Sequence, residues 1–252
     1  MRLHVAFHPS LLATGAQPPV PITRPQVCLV VDVIRASTTL VTLVERGAAL
    51  IHIANSVAAA RASAAARDGA VMAGEQEGLA PPGFDYGNSP VEVSRAEVSG
   101  RPVVFVTTNG TAAIRAVERA AAILIGALRN GTAVCGEAWQ MARQRDADIA
   151  IVCAGREQAF GIDDAYCAGF LVNRLLELGP AELTDGANAA LRLYRAEPDA
   201  LALFQSSAAG QNVIRLGLGH DVEYCAQRDA STVVPRLGRE LFMLAPAIEG
   251  KS

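Results

Sequence analysis

Five times along this chain a short run of β-branched and aliphatic residues gives way to a polar turn and then to a stretch rich in Ala, Leu and Arg. The pairs read CLVVDV then STTLVTLVERG, LIHIAN then SVAAARASAAARDG, PVVFVTT then NGTAAIRAVERA, AAILIGAL then NGTAVCGEAWQMARQR, and DIAIVCAG then DDAYCAGFLVNRLLELG. The apolar runs are continuous rather than alternating, which suits strands buried on both faces. Parallel neighbours need a crossover long enough to hold a helix, so this repeated order predicts an α/β fold with a mostly parallel sheet covered by helices. Ser37 or Ser56 is a suitable helix N-cap, and Gly47, Gly69 and Gly179 are suitable helix closures. The opening MRLHVAFH alternates at Leu3, Val5 and Phe7 and reads as a strand, without the basic and long apolar segments of a signal peptide.

At 252 residues the chain can bury a sizeable core. It reads either as one α/β unit over residues 1–252 or as two similar, closely packed lobes between which no boundary is legible. From Asp185 onward the pattern turns more helical, before last apolar stretches around DVEYCA and STVVPRLG. No apolar run reaches the roughly 18–20 residues that span a bilayer, so a soluble, cytoplasmic protein is expected. The net charge is -3, with 22 Lys and Arg interleaved among 25 Asp and Glu, which offers no face for nucleic acid and favours a small-molecule partner. Five cysteines without a CxxC pair and four histidines without ligand spacing suggest neither a disulfide framework nor zinc; any metal should be a hard one held by oxygen. A homodimer is the default assembly on symmetry grounds.

In such sheets ligands bind beyond the carboxyl ends of the strands, so the residues after each apolar run carry the functional reading. They are Asp32, Arg35, Ser37 and Thr38 after CLVV; Glu75 and Glu77 after AVMA; Thr107, Thr108, Asn109, Gly110 and Thr111 after VVFV; and Arg156, Glu157, Asp163 and Asp164 after IAIVCAG. Each has an ordinary alternative. TTNGT can seat a phosphate on hydroxyls and helix-start amides, or be a plain Asn-Gly turn, as the NGT at Asn130 to Thr132 is taken to be. Asp32 and Arg35 can serve a metal and an anion, or pair with each other as a salt bridge. Asp163 and Asp164 can hold Mg²⁺, or simply favour a helix N-terminus. The long Gly74 to Glu92 segment, crowded with Gly, Pro and acidic residues, is either a functional loop or a solvated excursion. GxSxG and GxxxxGK[ST] are absent from the sequence. Carboxylates, an arginine and hydroxyls at strand ends suit Mg²⁺-assisted phosphoryl chemistry.

Four stretches, VVDVIRASTT, GEQEGLAPPGFDYGNSPVE, FVTTNGTAAI and CAGREQAFGIDDAYCAG, resemble in order and spacing the 2-phosphosulfolactate phosphatase family, and the similarity runs on to LGLGHDVEYCAQRDASTVVPRL. The resemblance implies a layered α/β/α architecture and a Mg²⁺-dependent acid phosphatase that converts (2R)-2-phospho-3-sulfolactate to 3-sulfolactate, a step associated with coenzyme M biosynthesis. It makes the long loop an active-site wall. It carries over Asp32, Arg35, Glu75, Asp85, Asn88, Ser89, Asn109, Thr111, Asp163 and Asp164 as site residues. Their chemistry then suggests Asp32 with Asp163 or Asp164 for the metal, and Glu75 or Asp85 as base, with an aspartyl-phosphate on Asp32 as a second route. Arg35, with Arg156 or Arg215, would bind carboxylate and sulfonate, while Ser37, Thr38, Asn88, Ser89 and the Thr108 to Thr111 turn would complete the substrate contacts. Competing readings are a phosphatase for another 2-phosphohydroxy acid, a lyase or phosphotransferase on such a compound, and a non-catalytic module for a phosphorylated or sulfonated metabolite.

Overall fold

The computed structural model describes residues 1–11, 24–107, 110–156, 159–238 and, for backbone alone, 242–244. The first half of the chain supplies β1 (Arg2–Ala6), β2 (Gln26–Val31), α1 (Ala36–Glu45), β3 (Leu50–Ala54), α2 (Val57–Ala65), β4 (Val71–Gly74), α3 (Pro90–Val93), β5 (Pro102–Val106), α4 (Gly110–Ala116) and β6 (Ala122–Ile125). The second half supplies α5 (Gly131–Gln144), β7 (Asp148–Cys153), α6 (Ile162–Leu178), β8 (Glu182–Leu183), α7 (Asp185–Ala196), α8 (Ala200–Ser206), α9 (Ala208–Arg215), α10 (Gly219–Cys225), β9 (Arg236–Leu237) and β10 (Phe242–Leu244). Every apolar run followed by a polar turn is a strand of one ten-stranded sheet, in the order β4-β5-β3-β10-β9-β6-β2-β7-β1-β8.

Two parallel blocks, β4-β5-β3 and β6-β2-β7-β1-β8, are joined by β10 and β9, which run antiparallel to each other and to their outer neighbours. Alternation along β2 shows why the sheet is covered on both sides. Val27, Leu29 and Val31 pack against α5, α6 and the later helices, while Cys28 and Val30 pack on the opposite face with α1, α3 and α4. Burying each of Val27, Leu29 and Val31 contributes about 1.5–3 kcal/mol relative to exposure, so a charged residue at Leu29 would undo the central strand. On β5 the alternation repeats: Val103 and Phe105 join α1 and α4, and Val104 and Val106 pack with Ala60 of α2. The result is the layered α/β/α arrangement expected from sequence.

Local signals act mostly as expected. Ser56 caps α2 by accepting from the Ala59 N–H, and Gly47 lies just past α1 with its N–H on Val44 O. Ser37 is a correction: it lies inside α1, and its hydroxyl accepts from the Asp32 N–H instead of capping the helix. Asn130 is another, being more than a turn residue. Its buried side chain accepts from the Ala127 N–H and donates to Ile125 O and Val233 O, so it clamps the end of β6 just before α5 begins. The DVEYC stretch is helix α10. Among the described residues no helix is long and apolar enough to cross a membrane.

Candidate active site

β2 and β7 lie side by side, with Val31 opposite Cys153, so the turns that follow them open at the same sheet edge. Asp164, in the first turn of α6, ties these turns together: Oδ1 accepts from the Val33 N–H at 2.8 Å and Oδ2 from the Gly155 N–H at 3.0 Å. Gly155 has φ +64°, and a Cβ there would come within 2.3 Å of Ala159 O, so both the backbone conformation and the close approach require glycine. Asp32 follows β2, and α4 begins beside it. A Cβ on Gly110 would lie 3.2 Å from Asp32 Oδ2, so the glycine lets the helix start approach the carboxylate.

Asp32, Glu75, Asp163 and Asp164 are all buried and all line one cleft of about 690 Å³. Burial, followed by the charges of Glu75 and Asp163, pushes the Asp32 carboxyl up to about 7 against weaker help from the Ala36 N–H and Arg35. Asp163 is raised to about 6, chiefly by burial, and Asp164 lies well above the usual range through burial and then the charges of Asp163 and Asp32. Anionic oxygens crowded in a low-dielectric pocket raise one another's proton affinity, and a cation in their midst would reverse that. Hard oxygen donors with surplus negative charge are the chemistry that Mg²⁺ takes. Among the described residues, however, no three Asp, Glu, His or Cys side chains form a ready-made metal cage.

The opposite wall comes from the long loop, which does line the cleft through Glu75, Gln76, Glu77, Gly78 and Asn88. Glu75 Oε2 accepts from the Gly78 N–H at 2.8 Å, curling the loop on itself. Asn88 is 5% exposed, and its Oδ1 has no hydrogen-bond partner among the described residues. A buried amide oxygen in that state costs free energy unless a ligand or water satisfies it. Arg35 also lines the cleft. It makes its ion pair not with Asp32 but with Asp221, Nη1 to Oδ2 at 2.8 Å, and donates from Nη2 to Gly78 O at 2.6 Å; the Ile34–Arg35 peptide is cis. Arg156 lines the cleft mouth with Phe160 and Ile162, donates to Ala208 O at 3.1 Å, and its charge lowers the proton affinity of Asp163.

Several residues expected at the site lie elsewhere. Asp85 is exposed and spends its carboxylate on the Met72 N–H, outside the cleft lining, so it is not placed to act as the base. Ser37 and Thr38 are buried beneath the turn, their hydroxyls engaged by Asp32 N–H and by Val33 O, and do not line the cleft. Ser89 is likewise outside the lining: it caps α3 through the Glu92 N–H and donates to Asp221 Oδ1 at 2.6 Å. Arg215 is exposed, donates to Asn212 Oδ1 and does not line the cleft. Thr111 donates to Thr107 O and lines a neighbouring groove of about 570 Å³ that shares Glu75, Gln76 and Thr107 with the cleft. Thr108, Asn109 and Glu157 lie outside the described residues. Sequence reasoning missed Asp221. An acidic residue in the first turn of a helix has an ordinary dipole explanation, and nothing local marks it as the partner of an arginine 186 positions earlier.

The sequence model described as 2-phosphosulpholactate phosphatase matches residues 17–240. The chain is 46% identical over 214 residues to a probable 2-phosphosulfolactate phosphatase of Deinococcus radiodurans, covering 84% of this chain and 88% of that protein. It is 44% identical over 217 residues to one from Thermus thermophilus, covering 86% and 90%, and 36% identical over 224 residues to one from Symbiobacterium thermophilum, covering 86% and 94%. The family match spans β2 through β9 and so includes every described residue that lines the carboxylate cleft: the chain belongs to the 2-phosphosulpholactate phosphatase family.

Proposed function

We propose that the cleft hydrolyses (2R)-2-phospho-3-sulfolactate to 3-sulfolactate and inorganic phosphate with the help of Mg²⁺. The observation that carries this reading is the surplus of buried carboxylates, Asp32, Glu75, Asp163 and Asp164, facing Arg35 in one cleft of a member of this phosphatase family. Asp32 and Asp163 are the residues that would hold the cation. Mg²⁺ commonly takes one or two protein carboxylates and completes its shell with water and substrate phosphate oxygens, which fits a donor set short of a full cage. When bound, it would offset phosphate charge and lower the pKa of a bound water. Asp164, with both oxygens on backbone N–H groups, holds the two strand-end turns in place.

Arg35 and Arg156 would bind the carboxylate and sulfonate of the substrate through paired N–H donors. Glu75, fixed by the Gly78 N–H, would take one proton of the attacking water while the bond from phosphorus to the C2 oxygen breaks; the leaving C2 oxygen takes its proton from solvent water, and Glu75 later returns its proton to solvent. The reading places the enzyme in the cytoplasm, where its five buried free cysteines stay reduced, and as a homodimer. The test is phosphate release by metal-stripped protein from 2-phosphosulfolactate, phospholactate and phosphoglycolate, with and without added Mg²⁺. Mg²⁺-dependent release that prefers the sulfonated ester is expected. Release from the comparators alone would replace the substrate, and no release under any condition would sink the phosphatase reading in favour of a binding module.

A further inference from the structure

The mechanism above uses Arg35 but leaves open why its guanidinium is paired with a carboxylate from α10, far along the chain. Arg35 is 4% and Asp221 2% exposed, and they meet at 2.8 Å. Buried ion pairs of this kind are poor stabilisers compared with apolar packing of the same volume, so fold stability alone does not account for it. The other carboxylate oxygen, Asp221 Oδ1, accepts from Ser89 Oγ at 2.6 Å and lies 3.4 Å from the Val91 N–H. Asp221 therefore grips at once the arginine of the β2–α1 turn and the start of α3. Ser89 follows Asn88, whose buried Oδ1 has no partner among the described residues and which lines the cleft. Arg35 gives one further N–H to Gly78 O at 2.6 Å, in the loop wall. These two bonds use two of five guanidinium N–H groups, and the rest make no hydrogen bond to the described residues.

We infer that Asp221 is a positioning residue of this phosphatase: it orients Arg35, and ties it to the Asn88–Ser89 turn, so that the remaining guanidinium N–H groups meet an anionic substrate in the cleft. The inference deepens the phosphatase reading and rests on it for the identity of the substrate. A fixed guanidinium binds an oxyanion with two parallel N–H donors, whereas one free to swing among the nearby carboxylates would be drawn onto them instead. The role acts through substrate binding, so loss of the grip should fall on KM before it falls on kcat.

The experiment compares wild type with Asp221→Asn, which keeps the size and one acceptor oxygen but removes the charge that pairs with Arg35. Expected is a KM raised by about tenfold or more with kcat changed by less than about threefold, the pattern of lost ground-state and transition-state binding alike. A second arm is chemical rescue. Added guanidinium should restore part of the activity of Arg35→Ala, because Asp221 offers it a seat, and should restore none to the Arg35→Ala/Asp221→Asn double variant. An Asp221→Asn protein that melts lower but keeps its KM, or a double variant rescued as well as the single, would reduce Asp221 to a structural clasp and overturn the inference. Should Asp221→Asn not fold, Asp221→Glu, which keeps the charge but shifts the carboxylate by one methylene, takes the same KM comparison, an unchanged KM again overturning it. If wild type turns over no phosphate ester, the phosphatase reading fails separately, and calorimetric binding of inorganic phosphate decides this point: weaker binding by Asp221→Asn upholds the positioning role and equal binding overturns it.

Discussion

Two buried charge clusters at the cleft behave in opposite ways. On one side Arg35 and Asp221 pair at 2.8 Å, so each ion is offset by its neighbour and the pair holds backbone in place. On the other, Asp32, Asp163 and Asp164 crowd together with Glu75 nearby; burial raises the carboxyls of all three aspartates, and neighbouring carboxylates raise Asp32 and Asp164 further. One cluster is neutralised by its own ion pair and the other is not. Buried surplus charge costs several kcal/mol, which is the ground for the proposal that the carboxylate cluster is where the chemistry occurs.

The sharpest way to break that contrast is to remove charge from the carboxylate cluster. Asp32→Asn should lower kcat by about a thousandfold or more, since it removes both the proposed cation ligand and the carboxylate beside the α4 start; steady-state phosphate release measures it, and near-normal turnover would take Asp32 out of the reaction. Glu75→Gln should cost about 10²–10³ in kcat, the range for a positioned general base. Its KM should stay near the wild-type value, because the side chain keeps its bond to the Gly78 N–H. Loss confined to KM would instead make Glu75 a binding group.

Stability gives the next, smaller effect, and its sign follows from linkage. Asp32 and Asp163 are raised from the usual 3.8 to about 7 and about 6, so the native state holds protons more firmly than the unfolded chain. That contribution to stability is fully present below about pH 4 and is lost as pH rises through 6 to 7. The metal-stripped wild type should therefore lose about 2–4 kcal/mol relative to Asp32→Asn between pH 5 and pH 8, read as diverging denaturation midpoints. On the proposed role of Mg²⁺, added cation should narrow the gap by binding the native wild-type cluster. Parallel midpoints across that range would mean the cluster carries no surplus charge.

The sheet and the carboxylate wall were legible because their signals are local. Continuous Val and Ile runs predict buried strands, and the residues just after those runs include Asp32, Glu75, Asp163 and Asp164. The long loop was legible as a wall through its resemblance to the family. What the sequence hid is what depends on distant partners. The Arg35–Asp221 pair spans two elements that meet across α3, and its sequence neighbour Asp32 was the more obvious partner. The hydroxyls of Ser37 and Thr38 looked available but bond backbone within five residues of themselves, a competition that composition does not reveal. Nor did the runs of strand and helix foretell that β9 and β10 would join the two parallel blocks antiparallel, since both are two- or three-residue strands with little pattern to read.

Asp85 tests the boundary of the site. The family resemblance makes it a site residue, and its chemistry makes it an alternative to Glu75 as the base, yet it is exposed and bonds the Met72 N–H at 2.8 Å, on β4 and away from the cleft lining. Its place is that of a loop anchor: the same residue's own N–H donates to Met72 O, so the two bonds dock the loop on the strand. Asp85→Asn can keep the acceptor oxygen, so activity should stay within about twofold of wild type and stability should fall by at most about 1 kcal/mol, the difference between a charge-assisted bond and a neutral one. Rates and denaturation midpoints measured side by side separate the outcomes. A drop in kcat comparable to that of Glu75→Gln, with an unchanged midpoint, would bring Asp85 back into the reaction and would require the loop to close differently over substrate than it lies here.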